Sequence, residues 1–233
     1  MGMTIHYSLL YKGQSLPKVK QLLQALYTRA RQLPFEEVRE IEEHVGPDTD
    51  PKVYRKTTWI FDPQDDSRSY RVMSEREITF LTNPGPGCES ACFGFAKYPA
   101  VITVGDKRDR KIRTKLAHWR WHDFCKTCYA AGEHHGGGPI NFMRCHLCVV
   151  AMLDYAQELG ILADVHDECD YWQERDVNLL YAYAGETTPE LIAQVDGLLQ
   201  LYPLLRDTMN KPALPKQEEV QEATTDGETA NSR

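Results

Sequence analysis

The chain has 233 residues, 42% hydrophobic and 26% charged, the balance of a globular protein forming one sizeable domain or two small ones. A formal net charge of −7, from 27 basic and 34 acidic residues, argues against a general nucleic-acid binder, which needs a basic face; the run Lys107-Arg108-Asp109-Arg110-Lys111 is a local exception. No apolar run approaches the ~20 residues of a membrane span, and the start, Met1-Gly-Met-Thr-Ile-His6, lacks a basic-then-apolar leader, so a cytoplasmic protein is expected.

Thr4 to Tyr11 is rich in β-branched and aromatic residues and predicts a strand. Ser15 is placed to cap a helix, with Pro17 in its first turn. Leu16, Val19, Leu22, Leu23, Leu26, Ala30 and Leu33 then recur at helical spacing, which predicts an amphipathic helix over 16–32. Pro34 stops it, and Phe35 to Val45 is expected to return as a strand, completing a β-α-β unit. Short strands are expected near 57–61, 69–73 and 77–82, a loop at Asn83-Pro-Gly-Pro-Gly87, and further strand within 93–104. Leu116 to Tyr129 predicts a long strand. Phe142, Cys145, Val149, Met152, Leu153, Ala156 and Leu159 predict a helix over about 140–159, with Gly160 after its end. Ile161 to Trp172 predicts a strand and so a second β-α-β unit.

Two such units joined by short strands imply an α+β domain over 1–210, a mixed sheet with helices mainly on one face, ferredoxin-like or related. A last helix begins at Thr188-Pro-Glu. From Lys211 the chain is polar, rich in Glu and Thr and without aromatics, so 211–233 is expected to be a disordered acidic tail.

Chemistry concentrates between Cys125 and Cys148. Two CxxC pairs, Cys125/Cys128 and Cys145/Cys148, are sixteen residues apart, a spacing known from zinc sites. Zinc held by these four, or by three of them with His134, His135 or His146, is one expectation. Two patterns oppose it. Residues three apart on a strand face opposite ways, which separates Cys125 from Cys128. Cys145 lies on the apolar stripe of its helix, where free cysteine packs as a small hydrophobe.

The stretches Phe124-Cys-Lys-Thr-Cys-Tyr-Ala130, Asn141-Phe-Met-Arg-Cys-His-Leu147 and Asp167-Glu-Cys-Asp-Tyr-Trp-Gln-Glu-Arg175 resemble a family of uncharacterised bacterial proteins. Its pattern is F-C-K-T-Q-Y-A, then G-G and N-F-L-R-C-H-L, then D-E-G-x-Y-W-x-x-R. The similarity covers about 120–176, with a weaker echo at 4–45. Cys128 stands where the family has Gln, which breaks the four-cysteine set. The resemblance implies a shared site and no particular reaction.

In a β-α-β crossover the C-terminal ends of both strands and the helix N-terminus meet at one edge, the edge where open α/β sheets bind ligands. That edge should gather Lys126, Cys128, His134, His135, Asn141 and Arg144, joined by Glu168, Asp170 and Arg175. Lys126, Arg144 and the free N–H groups of the helix start suit an anion, and Gly136-Gly-Gly138 would let a ligand approach the backbone. A small anionic or polar ligand at 126–144 beside 168–175 is therefore the first functional expectation. Zinc on the four cysteines and a non-enzymatic interaction module, as a homo-oligomer or with a partner, are the alternatives. His118, Arg120 and His122 also share a strand face and could serve acid–base chemistry. No GxSxG, P-loop, HExxH or GxGxxG in context points to a named reaction.

Overall fold

A computed structural model describes residues 3–46, 56–105, 109–132, 134, 136–185 and 187–213. Most of the acidic tail, and His135 of the expected ligand set, lie outside these residues. In chain order the elements are β1 (Thr4–Tyr11), α1 (Leu16–Ala30), β2 (Glu37–Val38), β3 (Glu42–Val45), β4 (Thr57–Asp62), β5 (Asp65–Met73), β6 (Arg76–Asn83), β7 (Ala91–Lys97), β8 (Val101–Val104), β9 (Arg110–Arg113), β10 (Trp119–Lys126), α2 (Pro139–Glu158), β11 (Leu162–Asp167), α3 (Tyr171–Glu174), α4 (Val177–Ala184), α5 (Pro189–Leu201) and α6 (Pro203–Met209).

The local reasons for these elements are those anticipated. Ser15 Oγ accepts from the Lys18 backbone N–H at 3.3 Å and opens α1. Thr188 Oγ1 accepts from Leu191 N–H at 3.1 Å and opens α5. Gly160 takes φ +68 and ends α2, a conformation that costs a side-chain-bearing residue far more.

The protein is α+β. A seven-stranded sheet has the order β11-β1-β10-β7-β6-β2, with β3 also on β6, and each of its ladders is antiparallel. β10 and β11 both run against β1, hence parallel to each other, with α2 crossing between them. The second β-α-β unit is therefore split, with β1 filling the gap. In the first unit, three strands separate β1 from β2. The sheet is wider than a four-stranded ferredoxin-like one, and the likeness to that arrangement stops at the split crossover. Two hairpins, β4–β5 and β8–β9, stand off the sheet and are tied together by Arg110, whose guanidinium pairs with the Asp62 carboxylate and reaches Gln64 at 2.7 Å.

The core is continuous. Ile5, Tyr7 and Leu9 of β1 are buried, and a row of rings runs from Tyr27 of α1 through Phe80 and Phe93 to Tyr7, with centroids 5.2–5.7 Å apart. Aromatic pairs at such spacing add to the stabilisation from burial itself. Between β10 and β7 the recorded ladder is the single pair Arg120↔Ala96. Beyond it, side chains bridge the strands. Tyr7 Oη and Trp121 Nε1 both donate to the Cys92 carbonyl, at 2.8 and 2.7 Å. Asp123 Oδ2 accepts from Cys92 N–H at 3.1 Å, and Cys125 Sγ donates to the Glu89 carbonyl at 3.1 Å.

Candidate functional site

The edge where β10 and β11 end does gather polar side chains, but not those expected. β10 stops at Lys126; Thr127 leaves the extended conformation and a 3-10 turn follows over Cys128–Ala131. β11 stops at Asp167, five residues earlier than the strand predicted to Trp172, and Asp170 sits at φ +60 before α3. These stops bring Thr127, His146 of α2, Asp167 and Cys169 together in the interior, all essentially without solvent exposure. His146 Nδ1 lies 3.1 Å from Thr127 Oγ1, and its Nε2 lies 3.1 Å from Asp167 Oδ2 and 3.5 Å from Cys169 Sγ. Asp167 also accepts from the backbone N–H groups of Cys169 and Trp172, at 3.2 and 3.0 Å.

The electrostatics follow from the packing. Burial works against a charge on His146, but the adjacent Asp167 carboxylate and Cys169 sulfur outweigh it, and the imidazole is pushed up to about 10. Burial likewise raises Asp167, while His146 and the hydrogen bonds of Cys169 bring it down to about 2. Desolvation holds the Cys169 thiol above its ordinary value. The shifts of His146 and Asp167 run in the directions of a mutually stabilised ion pair.

The anticipated ligand residues are dispersed. Arg144 turns inward, its guanidinium hydrogen-bonded to the Pro34 carbonyl and, at 2.7 Å, to Asn141 Oδ1. Asn141 Nδ2 donates to the carbonyls of Pro86, at 2.9 Å, and Gly136. Arg175 is buried, paired with Asp154 at 2.8 and 3.3 Å and stacked 4.3 Å over the Trp172 ring. Glu168 is partly exposed and accepts from Thr4 N–H at 2.8 Å. Lys126 lies over the Tyr129 ring at 4.9 Å. Cys128 opens the 3-10 turn, and His134 and Asp170 are exposed. Gly136 is required by the chain itself: a Cβ there would lie 2.0 Å from the Tyr129 carbonyl oxygen, whereas one on Gly138 would meet nothing within 4 Å.

The four-cysteine zinc cage is not assembled. Among the described residues, only His146, Asp167 and Cys169 bring three potential metal-ligand atoms within 4.8 Å of one another. Cys125 is engaged with Glu89, Cys148 is buried in α2, and Cys145 faces Asn141 and Arg144 at 3.5 Å. A hydrogen bond from Cys88 and the Arg144 guanidinium hold the Cys145 thiol below its ordinary value, burial opposing them. Cys125 lies near enough to Cys145 and Cys148 for their sulfurs to raise its thiol, and Cys88 hydrogen-bonds Cys145, but no three of these sulfurs come within metal-ligand spacing of one another.

A second constellation surrounds a groove of about 480 Å³ between the β1–β10 pair and the start of β4. Lys56, Tyr98, Arg120, Trp121, His122 and Asp123 line it. Lys56 Nζ lies 3.3 Å from Asp123 Oδ1 and 4.4 Å from the centroid of the Trp121 ring. Ser8 Oγ and His122 Nδ1 are 3.1 Å apart. Arg120 Nε is buried without a hydrogen-bond partner among the described residues. Burial raises the Asp123 carboxyl, and Lys56 only partly offsets it.

Arg120 and His122 stood out on one strand face in the sequence. Asp123 and Lys56 did not, because nothing local links residues 67 positions apart. Asp167 and Cys169 lay inside the strand expected over 161–172 and in the stretch Asp167–Arg175 that carries the resemblance, but strand parity gave no sign that both would turn toward His146. No protein-family model matches this chain, and no match to it was found among curated proteins or solved structures.

Proposed function

We propose that the protein binds a small anionic or polar ligand in the groove bounded by Lys56, Arg120, Trp121, His122 and Asp123. One observation carries the reading: Lys56, Arg120 and Asp123 all line a single concave space beside the Trp121 ring. The volume of about 480 Å³ falls in the range of small-molecule sites, roughly 300–1,000 Å³. The Trp121 ring and Lys56 offer a flat apolar surface beside a charge, which suits a planar group carrying an anion. Compared with the sequence expectation the ligand class is kept and the location moves, because Arg144 and Arg175 are committed to protein partners.

Thermal unfolding against inorganic phosphate, mono- and dicarboxylates and nucleoside monophosphates tests this. At a hundredfold excess over Kd a ligand adds about 2.7 kcal/mol, on the order of 5–10 °C for a chain of this size. The shift should vanish in Lys56→Ala and Arg120→Ala and persist in Arg144→Ala. A panel without any shift, or shifts indifferent to Lys56 and Arg120, would sink the reading.

A further inference from the structure

We propose that His146, Asp167 and Cys169 form a buried site for one divalent cation of the zinc class. The first argument is geometric. The donor atoms come from α2, the end of β11 and the turn after it, and stand 3.1 Å (Nε2 to Oδ2), 3.5 Å (Nε2 to Sγ) and 3.1 Å (Sγ to Oδ1) apart. Bonds of roughly 2.0–2.3 Å in a tetrahedral array place ligand atoms about 3.3–3.8 Å from one another. The Nε2–Oδ2 and Nε2–Sγ separations are close to that spacing, and one donor atom from each of the three residues lies within 4.8 Å of the others.

The second argument is orientation. A metal-binding imidazole needs its other nitrogen held by an outer partner. Thr127 Oγ1 stands 3.1 Å from Nδ1 and, by accepting its N–H, directs the Nε2 lone pair at Asp167 and Cys169. The carboxylate is held in turn by the N–H groups of Cys169 and Trp172. Ligands and outer partners are therefore already in place.

Charge is the third. A divalent cation with a neutral imidazole, a carboxylate and a thiolate sums to zero, so the loaded site leaves no uncompensated charge in an interior where such charge is very costly. Binding displaces the protons by which His146 Nε2 and Cys169 Sγ hydrogen-bond to the Asp167 carboxylate. The donor set of one nitrogen, one oxygen and one sulfur selects zinc-like ions over calcium and magnesium, which take oxygen ligands. Burial of all three residues makes this a site loaded during folding.

The same distances also suit a metal-free, proton-bridged cluster, and the experiment separates the two. Full-length protein without a histidine tag is analysed for metal as purified, then unfolded with chelator and refolded with Co²⁺ alone. The proposal expects close to one zinc per chain as purified. With cobalt it expects one ion per chain and a near-ultraviolet thiolate-to-cobalt charge-transfer band. That band should disappear in Cys169→Ser and survive in Cys145→Ala. Less than about 0.2 zinc per chain together with no cobalt band overturns the proposal, as does a band that survives Cys169→Ser. If Cys169→Ser fails to refold, Asp167→Asn in the same assay must alter the band's position or intensity, and an unaltered band also overturns it.

Discussion

Asp123 shows how one side chain can serve a site at the expense of stability. Burial holds its carboxyl above the ordinary range, with Lys56 as partial compensation. A carboxyl whose folded pKa exceeds its unfolded value of ~3.9 favours the folded state most below that value, and the contribution is lost as pH rises through the folded pKa. Asp123→Asn removes the penalty while keeping an acceptor for Cys92 N–H. It should raise the melting temperature at pH 7, with the difference shrinking towards pH 4; an equal difference at both pH values would assign the effect elsewhere. Gly136 is limited by sterics. A Cβ there would meet the Tyr129 carbonyl oxygen at 2.0 Å and Ala130 Cα at 2.5 Å. Backbone cannot yield as a long side chain can, so Gly136→Ala should cost about 1–3 kcal/mol in urea unfolding. The glycine run was visible in the sequence. Its purpose was not, because the approaching carbonyl belongs to another part of the loop.

At the scale of elements, the second β-α-β unit is fastened by its buried polar side chains as well as by its ladders. His146 and Asp167 join α2 to the end of β11, and Arg175 and Asp154 join α2 to the end of α3. Removing one member of a buried pair strands the other charge, at a cost of about 3–5 kcal/mol. Asp154→Ala should show this in chemical denaturation, whereas an effect below 1 kcal/mol would mean that water reaches Arg175. Beyond the pair Arg120↔Ala96, side-chain hydrogen bonds link β10 to β7. Tyr7→Phe deletes one of the two donors to the Cys92 carbonyl and should cost about 0.5–1.5 kcal/mol. The parity of β10 was legible from alternation. Its side-chain hydrogen bonds to β7 were not, because alternation reports faces and carries no record of which strand lies alongside.

For the molecule as a whole, β1 is the decisive strand. It stands between β10 and β11, pairing Ile5 with both Cys125 and Asp167, and it delivers Ile5, Tyr7 and Leu9 to the core. A chain lacking residues 1–11 should lose cooperative unfolding in circular-dichroism melts; a sharp transition would show that β10 and β11 close the sheet without it. Pairing across more than 150 residues also carries a loop-closure cost that slows folding. The α+β class, the spans of α1, α2 and α5 and most strands follow from the sequence alone, because periodicity, caps and prolines are local and report burial directly. So does the meeting of polar side chains where β10, α2 and β11 come together. Tertiary structure alone decided which side chains meet there. A strand that stops at Asp167 rather than Trp172 turns Cys169 inward beside His146. Cys145 lies beside Cys88 rather than in a four-sulfur cage, and the start of the β4–β5 hairpin brings Lys56 to Asp123. Spacing along the chain defines only the candidates for each contact, and the packing of distant segments selects among them.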